Sequence, residues 1–298
     1  ANGKAMLWIR SFDSLAARPL AGTEGGAFPF WSPDRRKLGF FVDKKLKTLE
    51  LSGGRPKSVA DVPDHGGGSW NHEGTLLFVP DFRTDLLYRM TASGGAPVPV
   101  LELDKSKYRL VCEPRFLPDG KHFLYHVYAS NPESNAAYFA SLDGKENRLL
   151  RKGEEPNAIY SSGYLLYVLD KTLMAQAFDP ERGQLKGDAH PVAERIASDW
   201  GHGFFDVSEN GVLIYQAGDL LREKRITWFD RAGKELSAGE RGSYENFRLS
   251  PDGAKIAYKA GDLYTDVWVD ELARGVQMRL TKDPGSYYTN PTWSPDGR

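Results

Sequence analysis

WSPDR at 31–35, FLPDG at 116–120, LSPDG at 249–253 and WSPDG at 293–297 are four readings of one five-residue phrase. Three looser copies stand among them: WNHEG at 70–74, IYSSG at 159–163 and VSENG at 207–211. The seven starts, at 31, 70, 116, 159, 207, 249 and 293, are spaced 39, 46, 43, 48, 42 and 44 residues apart. A period of about 44 residues is that of a four-stranded propeller blade. The phrase has a turn's chemistry: Ser opens it, Pro pre-sets φ at the next position, Asp caps local N–H groups, and Gly accepts φ > 0. Such a turn closes a hairpin, so each copy ends one strand and begins its neighbour. Arg35 stands where the glycine is expected, which predicts a left-handed arginine at a cost of about 1 kcal/mol, or a changed turn type.

Outward from each anchor the runs repeat in order. A second apolar run follows at KLGFFV (37–42), TLLFVP (75–80), HFLYHV (122–127), YLLYVL (164–169), VLIYQA (212–217) and KIAYKA (255–260). Third runs lie at 7–12, 45–51, 86–92, 136–142, 172–178, 225–230 and 266–272, and short fourth runs such as PVPVLEL or QMRLTK follow them. Twenty-seven of the twenty-eight strands of a seven-bladed ring are thereby accounted for. The expectation is one all-β domain over 1–298, a propeller of four-stranded blades, seven in number, with no helix longer than about two turns. In this scheme Met6–Gly22 supplies the third and fourth strands of the unit that Trp293 begins, and the second strand of that unit lies beyond Arg298. The chain therefore reads as a piece of a longer protein, and rings of six or eight stay open if that protein closes elsewhere.

The anchors, with LWIRSFDSLAARPLAGTEGGAFPFWSPD, GGSWNHEGTLLFVP, GYLLYVLDKTLMAQAFD and ITWFDRAGKEL, resemble the TolB-type, WD40-like propeller repeat of bacteria. More narrowly they look like the C-terminal propeller of membrane-anchored serine/threonine protein kinases of acidobacteria. The resemblance implies a sensor or interaction module outside the cytoplasmic membrane, attached to a kinase that this segment does not contain. It is specific for fold and weakly specific for function. There is no GxGxxG loop, HRD or DFG, so phosphoryl transfer by this segment is not expected.

Composition narrows the partners. Lys and Arg number 39 against 40 Asp and Glu, a net charge of −1, which argues against nucleic acid or anionic membrane as the partner. No apolar stretch approaches the roughly 18–20 residues of a membrane span. A single cysteine, Cys112, excludes an intrachain disulfide framework.

Catalytic and metal motifs were weighed residue by residue. GGSWNHEG and YSSGY do not match the nucleophile elbow GxSxG, so no catalytic residue is assigned. His122 and His126 share one face of a strand, but with no acidic residue read beside them at ligand spacing they are assigned a structural role, and no metal or cofactor is expected. The anchor carboxylates Asp34, Asp119, Asp252 and Asp296 are expected to cap their turns rather than bind calcium. Trp31, Trp70, Trp228, Trp268 and Trp293 are expected to fill the space between blades, and Trp70, Phe116 and Leu249 to be equivalent buried positions.

The loops that return from each fourth strand to the next first strand crowd one face. They carry His65; Tyr108 and Arg109; Glu155 and Asn157; Trp200 and His202; Tyr244, Glu245 and Asn246; and Tyr287, Tyr288 and Asn290. Tyr108, Arg109, Trp200, His202, Tyr244 and Tyr287 are the residue types that anchor interfaces, and are taken as the partner-binding set, with Arg109 facing a carboxylate. Two functions follow: a non-catalytic platform for a protein, peptide or cell-envelope ligand, or the propeller of a peptidase or glycan-processing enzyme. A TolB-like envelope component differs from the first only in its partner.

Overall fold

The computed structural model describes residues 5–11, 14, 16–81, 86–104, 108–199, 201–218, 224–229, 232–242, 245–260, 266–272, 274–281 and 291–294. Among them the only helix is one 3-10 turn, Pro132–Ser134. Everything else regular is antiparallel strand, arranged as a β-propeller. The first sheet is Ala27–Trp31, Lys37–Val42, Lys45–Glu50 and Lys57–Asp61; the second is Gly68–Trp70, Thr75–Phe78, Leu86–Thr91 and Val98–Glu102. The third is Leu110–Phe116, His122–Tyr128, Ala136–Ser141 and Asn147–Lys152; the fourth is Ala158–Ser161, Tyr164–Leu169, Thr172–Asp179 and Gln184–Ala193. The fifth unit is two separate pairs, Phe205–Val207 with Leu213–Tyr215 and Lys224–Phe229 with Glu235–Gly242. The sixth is again four-stranded: Glu245–Leu249, Lys255–Ala260, Asp266–Glu271 and Val276–Arg279. Within each four-stranded sheet the strands lie side by side in sequence order.

The turns form as their chemistry dictates. The Ser32 hydroxyl donates to Asp34 Oδ1 at 2.6 Å and accepts from the Lys37 N–H at 2.8 Å, while Asp34 accepts from the Arg36 N–H at 3.1 Å. Ser250 and Asp252 repeat this in the sixth sheet, at 2.5 Å for the hydroxyl and 2.9 Å for the Ala254 N–H. Asp119 caps the N–H groups of Lys121 and His122, both at 2.9 Å, and Asp296 lies outside the described residues. Hydrogen bonds from Ser32 and the Arg36 N–H hold the Asp34 carboxyl below its ordinary value, and those from Ser250 and the Ala254 N–H do the same for Asp252. Arg35 takes φ +61, so the missing glycine is met by left-handed arginine.

Packing occurs between sheets. Phe30, Phe41 and Leu46 meet Leu76, Phe78 and Met90; Leu77, Val79 and Leu87 meet Phe123, Tyr125 and Val127. Leu124, Ala137 and Phe139 meet Ala158, Leu165 and Phe178 in the next interspace. A strand in the middle of the ring is thus buried on both faces, which is why the second runs read as unbroken apolar stretches rather than alternating ones. Phe30 fills the first interspace over Gly39, where an added Cβ would stand 2.2 Å from the ring.

Three expectations about the anchors need correction. Leu249 takes the same register position as Phe116 and Trp70, pairing with Ile256 as they pair with Phe123 and Leu76, but it is not buried: it is 50% exposed, whereas those two are partly buried against the cores of their preceding interspaces. Trp31 is 51% exposed, on the face of its strand opposite Phe30, which enters the interspace with the second sheet. Trp70, Trp268 and Trp293 are partly buried, and the Trp228 side chain lies outside the described residues. In IYSSG it is Tyr160, not Ile159, that faces the preceding sheet. The cause is a shorter turn: Ser161 pairs with Tyr164 across Ser162 and Gly163, both at positive φ, a two-residue hairpin that shifts the alignment by one residue and so by one face.

At the N-terminus Leu7, Ile9 and Leu20 cover Leu38, Phe40 and Leu49 on the outer face of the first sheet. Trp8–Ile9 pairs with Arg18–Pro19 as expected for a third and fourth strand. The Trp293 indole N–H donates to the Arg248 carbonyl at 2.9 Å, on the sixth sheet. The rest of the predicted closing unit falls on residues outside the described ones.

Candidate functional site

Hydrogen bonds between adjacent units join residues one repeat apart. Asn71 Nδ2 donates to the Gly120 carbonyl at 2.9 Å, Ser161 Oγ to the Ser208 carbonyl at 2.7 Å, and the Phe116 N–H to Ser69 Oγ at 3.0 Å. Buried Asn157 holds Gly203 from both sides, donating to its carbonyl at 2.9 Å and accepting from its N–H at 3.0 Å. Two charged side-chain pairs instead span two repeats. Arg115 Nη1 donates to Asp206 Oδ1 at 2.9 Å, and Glu113 Oε2 lies 3.5 Å from His202 Nδ1. Arg115 and Glu113 lie on the innermost strand of the third sheet, and His202 and Asp206 lie in or just before the innermost strand of the fifth unit, with the whole fourth sheet between them in sequence. In a ring, units two apart meet only around the axis, so these four side chains lie at the axis.

Glu113 reaches the axis through a local irregularity. The ladder between Leu110–Phe116 and His122–Tyr128 changes register between Cys112 and Arg115, and Glu113 sits in that bulge at φ +52. Its N–H is directed to the Gly66 carbonyl at 2.7 Å. The approach needs Gly67, at φ +89, where a Cβ would stand 3.1 Å from Glu113 Cα. Beside it lies fully buried His126, whose Nε2 accepts the Ala158 N–H at 2.9 Å. A backbone N–H can only donate, so the neutral ring must carry its proton on Nδ1. That Nδ1 makes no hydrogen bond and lies 3.8 Å from Glu113 Oε2. Burial, followed by repulsion from His202 and Arg115, lowers the His126 pKa from 6.5 to about 3. Burial, followed by the charge of Glu113, pushes the Cys112 thiol up, and burial does the same to the Tyr128 hydroxyl. The Tyr128 hydroxyl donates to the Gly201 carbonyl at 3.5 Å and so braces the same loop.

Two imidazoles around one carboxylate invite a metal ion, yet the donor set does not fit one. With Nε2 occupied by the Ala158 N–H, His126 could offer Nδ1 to a cation only as an imidazolate. Among the described residues no group of three His, Cys, Asp or Glu side chains could hold a metal ion. His122 and His126 do share a face, but four strand residues separate them by about 13 Å. The expectation that no acidic group stands beside them is corrected: His122 Nδ1 lies 2.5 Å from Asp119 Oδ2 and its Nε2 3.6 Å from Glu146, while Glu113 flanks His126. The His122 ring stacks on Phe139, so it serves the interspace.

The predicted binding set divides. Trp200, Tyr244 and Tyr287 lie outside the described residues. His202 is partly exposed at the axis against Glu113. Tyr108 turns the other way, its hydroxyl 2.5 Å from that of Tyr138 on the third strand of its sheet, and is half buried in the second interspace. The Arg109 N–H bonds the Tyr128 carbonyl at 2.8 Å, and Arg109 itself is exposed. Asn157 and His202 are brought together through Gly203; Tyr108 and His202 belong to different neighbourhoods. Sequence reasoning missed Glu113, Arg115 and Asp206. The signal was present in Cys112-Glu113-Pro114, since a charge followed by proline inside an innermost strand marks a bulge.

No protein-family model and no curated protein matches the chain. Among solved structures it is similar to regucalcin, a calcium-binding protein of Agrobacterium tumefaciens, at 16% identity and TM-score 0.50 over 78% of this chain and 81% of that one. It is also similar to TolB of Acinetobacter baumannii, at 15% identity and TM-score 0.48 over 94% of this chain, and spans 60% of that chain's length. A gluconolactonase of Xanthomonas campestris gives 16% identity and TM-score 0.48 over 82% and 84% of the two chains. At these identities the likeness concerns the fold. Among the described residues no helix is long and apolar enough to cross a membrane.

Proposed function

We propose that the chain is a non-catalytic binding propeller that receives a protein or peptide partner at the mouth of its axis. The observation that carries this reading is the gathering of Glu113, Arg115, His202 and Asp206 from two units that only the axis joins. Their charged groups remain within reach of solvent, and the loop bearing His202 is fixed by Asn157 and Tyr128, so a partner would meet a pre-organised polar seat. Arg109, exposed just before the third sheet, carries a guanidinium of the type that meets a carboxylate. The nearby groups that could act chemically are instead held inert: the Cys112 thiol is pushed up, and His126 is kept neutral. This favours recognition over catalysis. In this reading, which draws on the resemblance of the blade phrases, the module works outside the cytoplasmic membrane and feeds an attached kinase.

The test is comparative capture from cell-envelope extracts with the wild type, an Asp206→Ala/Arg109→Ala double variant, and Asp179→Asn, a change in the outer part of the fourth sheet. Partners retained by the wild type and by Asp179→Asn but lost by the double variant are expected. Identical recovery by all three would refute the axial seat.

A further inference from the structure

Glu113 stands between two imidazoles and makes a hydrogen bond to neither, at 3.8 Å from His126 Nδ1 and 3.5 Å from His202 Nδ1. His126 is a fixed donor, since Ala158 dictates its tautomer, and its Nδ1–H is buried without a partner. A small rotation of the Glu113 side chain would satisfy it. His202 is a variable donor, because its ring is partly exposed on the hairpin in which Ser198–Asp199 pairs with His202–Gly203. We propose that Glu113 is a two-position latch: with neutral His202 it is free to serve His126, and protonation of His202 draws it onto the loop and fastens that loop across the axis.

The groups around Glu113 leave this exchange to His202. On its own strand the Cys112 thiol is pushed well above its ordinary value, and Arg115 is engaged by Asp206. From the neighbouring strand come His126 and Tyr128, both kept neutral by burial. Arg151 and Glu155 bracket the approach from the fourth strand and the loop after it, with Arg151 Nη1 bonded to the Glu155 carbonyl at 3.0 Å and its guanidinium over the Tyr167 ring. In the loop that donates the Gly66 carbonyl, the His65 ring is turned to Phe28 and Phe41. Histidine is the side-chain type whose charge changes between pH 7.5 and 5.5. A cation 3.5 Å from a carboxylate in a partly buried site is attracted strongly enough to choose the nearer partner. Any effect on partner binding rests on the axial seat proposed above; the latch itself does not.

The experiment is amide hydrogen exchange at Gly203 and Phe204, whose N–H groups bond Asn157 Oδ1 and the Ala197 carbonyl, with nuclear magnetic resonance titration of the His202 ring. Wild type, Glu113→Gln and His202→Gln are compared at pH 7.5 and 5.5. The His202 pKa is expected to be at least half a unit higher in the wild type than in Glu113→Gln. By linkage, the ratio of protection between wild type and Glu113→Gln should then rise about threefold on acidification. His202→Gln should show no such rise. Equal His202 pKa values in wild type and Glu113→Gln, or a protection ratio unchanged with pH, would overturn the latch. Neither readout depends on a partner, so failure of the binding reading would leave both intact.

Discussion

His126 should make the stability of this protein fall with pH well above the range in which carboxylates titrate. In the fold its pKa is lowered from 6.5 to about 3, with burial as the leading cause. As pH drops below 6.5 the unfolded chain takes up a proton that the folded chain refuses, so the unfolded state is favoured. The contribution is complete above pH 6.5, is lost progressively as pH falls, and levels off near the folded value of about 3. At pH 5 the deficit is one and a half pH units, which at about 1.36 kcal/mol per unit is about 2 kcal/mol. His126→Gln is the informative variant, because its side-chain carbonyl keeps an acceptor for the Ala158 N–H while removing the titration. Urea unfolding of both proteins at pH 7.5, 6 and 5 should show the wild type losing about 2 kcal/mol more than the variant. The other five histidines are common to both proteins and cancel in the comparison. Equal losses would mean that the ring is not held neutral in the fold, and the tautomer assigned from the Ala158 bond would fall with it.

Asn157→Ala should destabilise by about 2–4 kcal/mol in urea melts, since it strips partners from a buried N–H and a buried carbonyl of Gly203 at once. Gly39→Ala should cost about 1–3 kcal/mol by pushing a methyl into the Phe30 ring, and Phe30→Leu in the same chain should recover part of it, a coupling that a double-mutant cycle measures. Leu249→Ala should cost less than about 1 kcal/mol because the side chain is half exposed, whereas Phe116→Ala, packed against the second interspace, should cost about 2 kcal/mol or more. The turn carboxylates Asp34 and Asp252 lie below their ordinary 3.8 in the fold, so their support is present above 3.8 and lost as pH falls from there through the lower folded values; Asp34→Asn/Asp252→Asn should flatten acid unfolding monitored by tryptophan fluorescence below pH 4.

The turn phrase was legible because its chemistry is local. Ser32, Asp34 and Lys37 hydrogen-bond one another within six residues, and Ser250, Asp252 and Lys255 do the same, so sequence alone fixes those hairpins. Repetition of the phrase then fixed the period, the four-stranded unit and the all-β class. Ile159 shows where that reasoning stops: a turn shorter by two residues moved every side chain of its strand to the other face, and the five-letter phrase cannot register the change.

What only the tertiary structure decided is how residues far apart in the chain meet. Asn71 finding Gly120 follows from adjacency of repeats, but Glu113 finding His202 and Arg115 finding Asp206 require a ring that brings alternate units to a shared axis. The residue before the anchor is charged in three units, Arg115, Asp206 and Arg248, and the repeat by itself does not say which of them meet. Burial is equally non-local. Trp31 and Leu249 carry the same apolar character as Trp70 and Phe116, and their exposure depends on the face that stands opposite them, which is a property of the assembled ring and not of the strand.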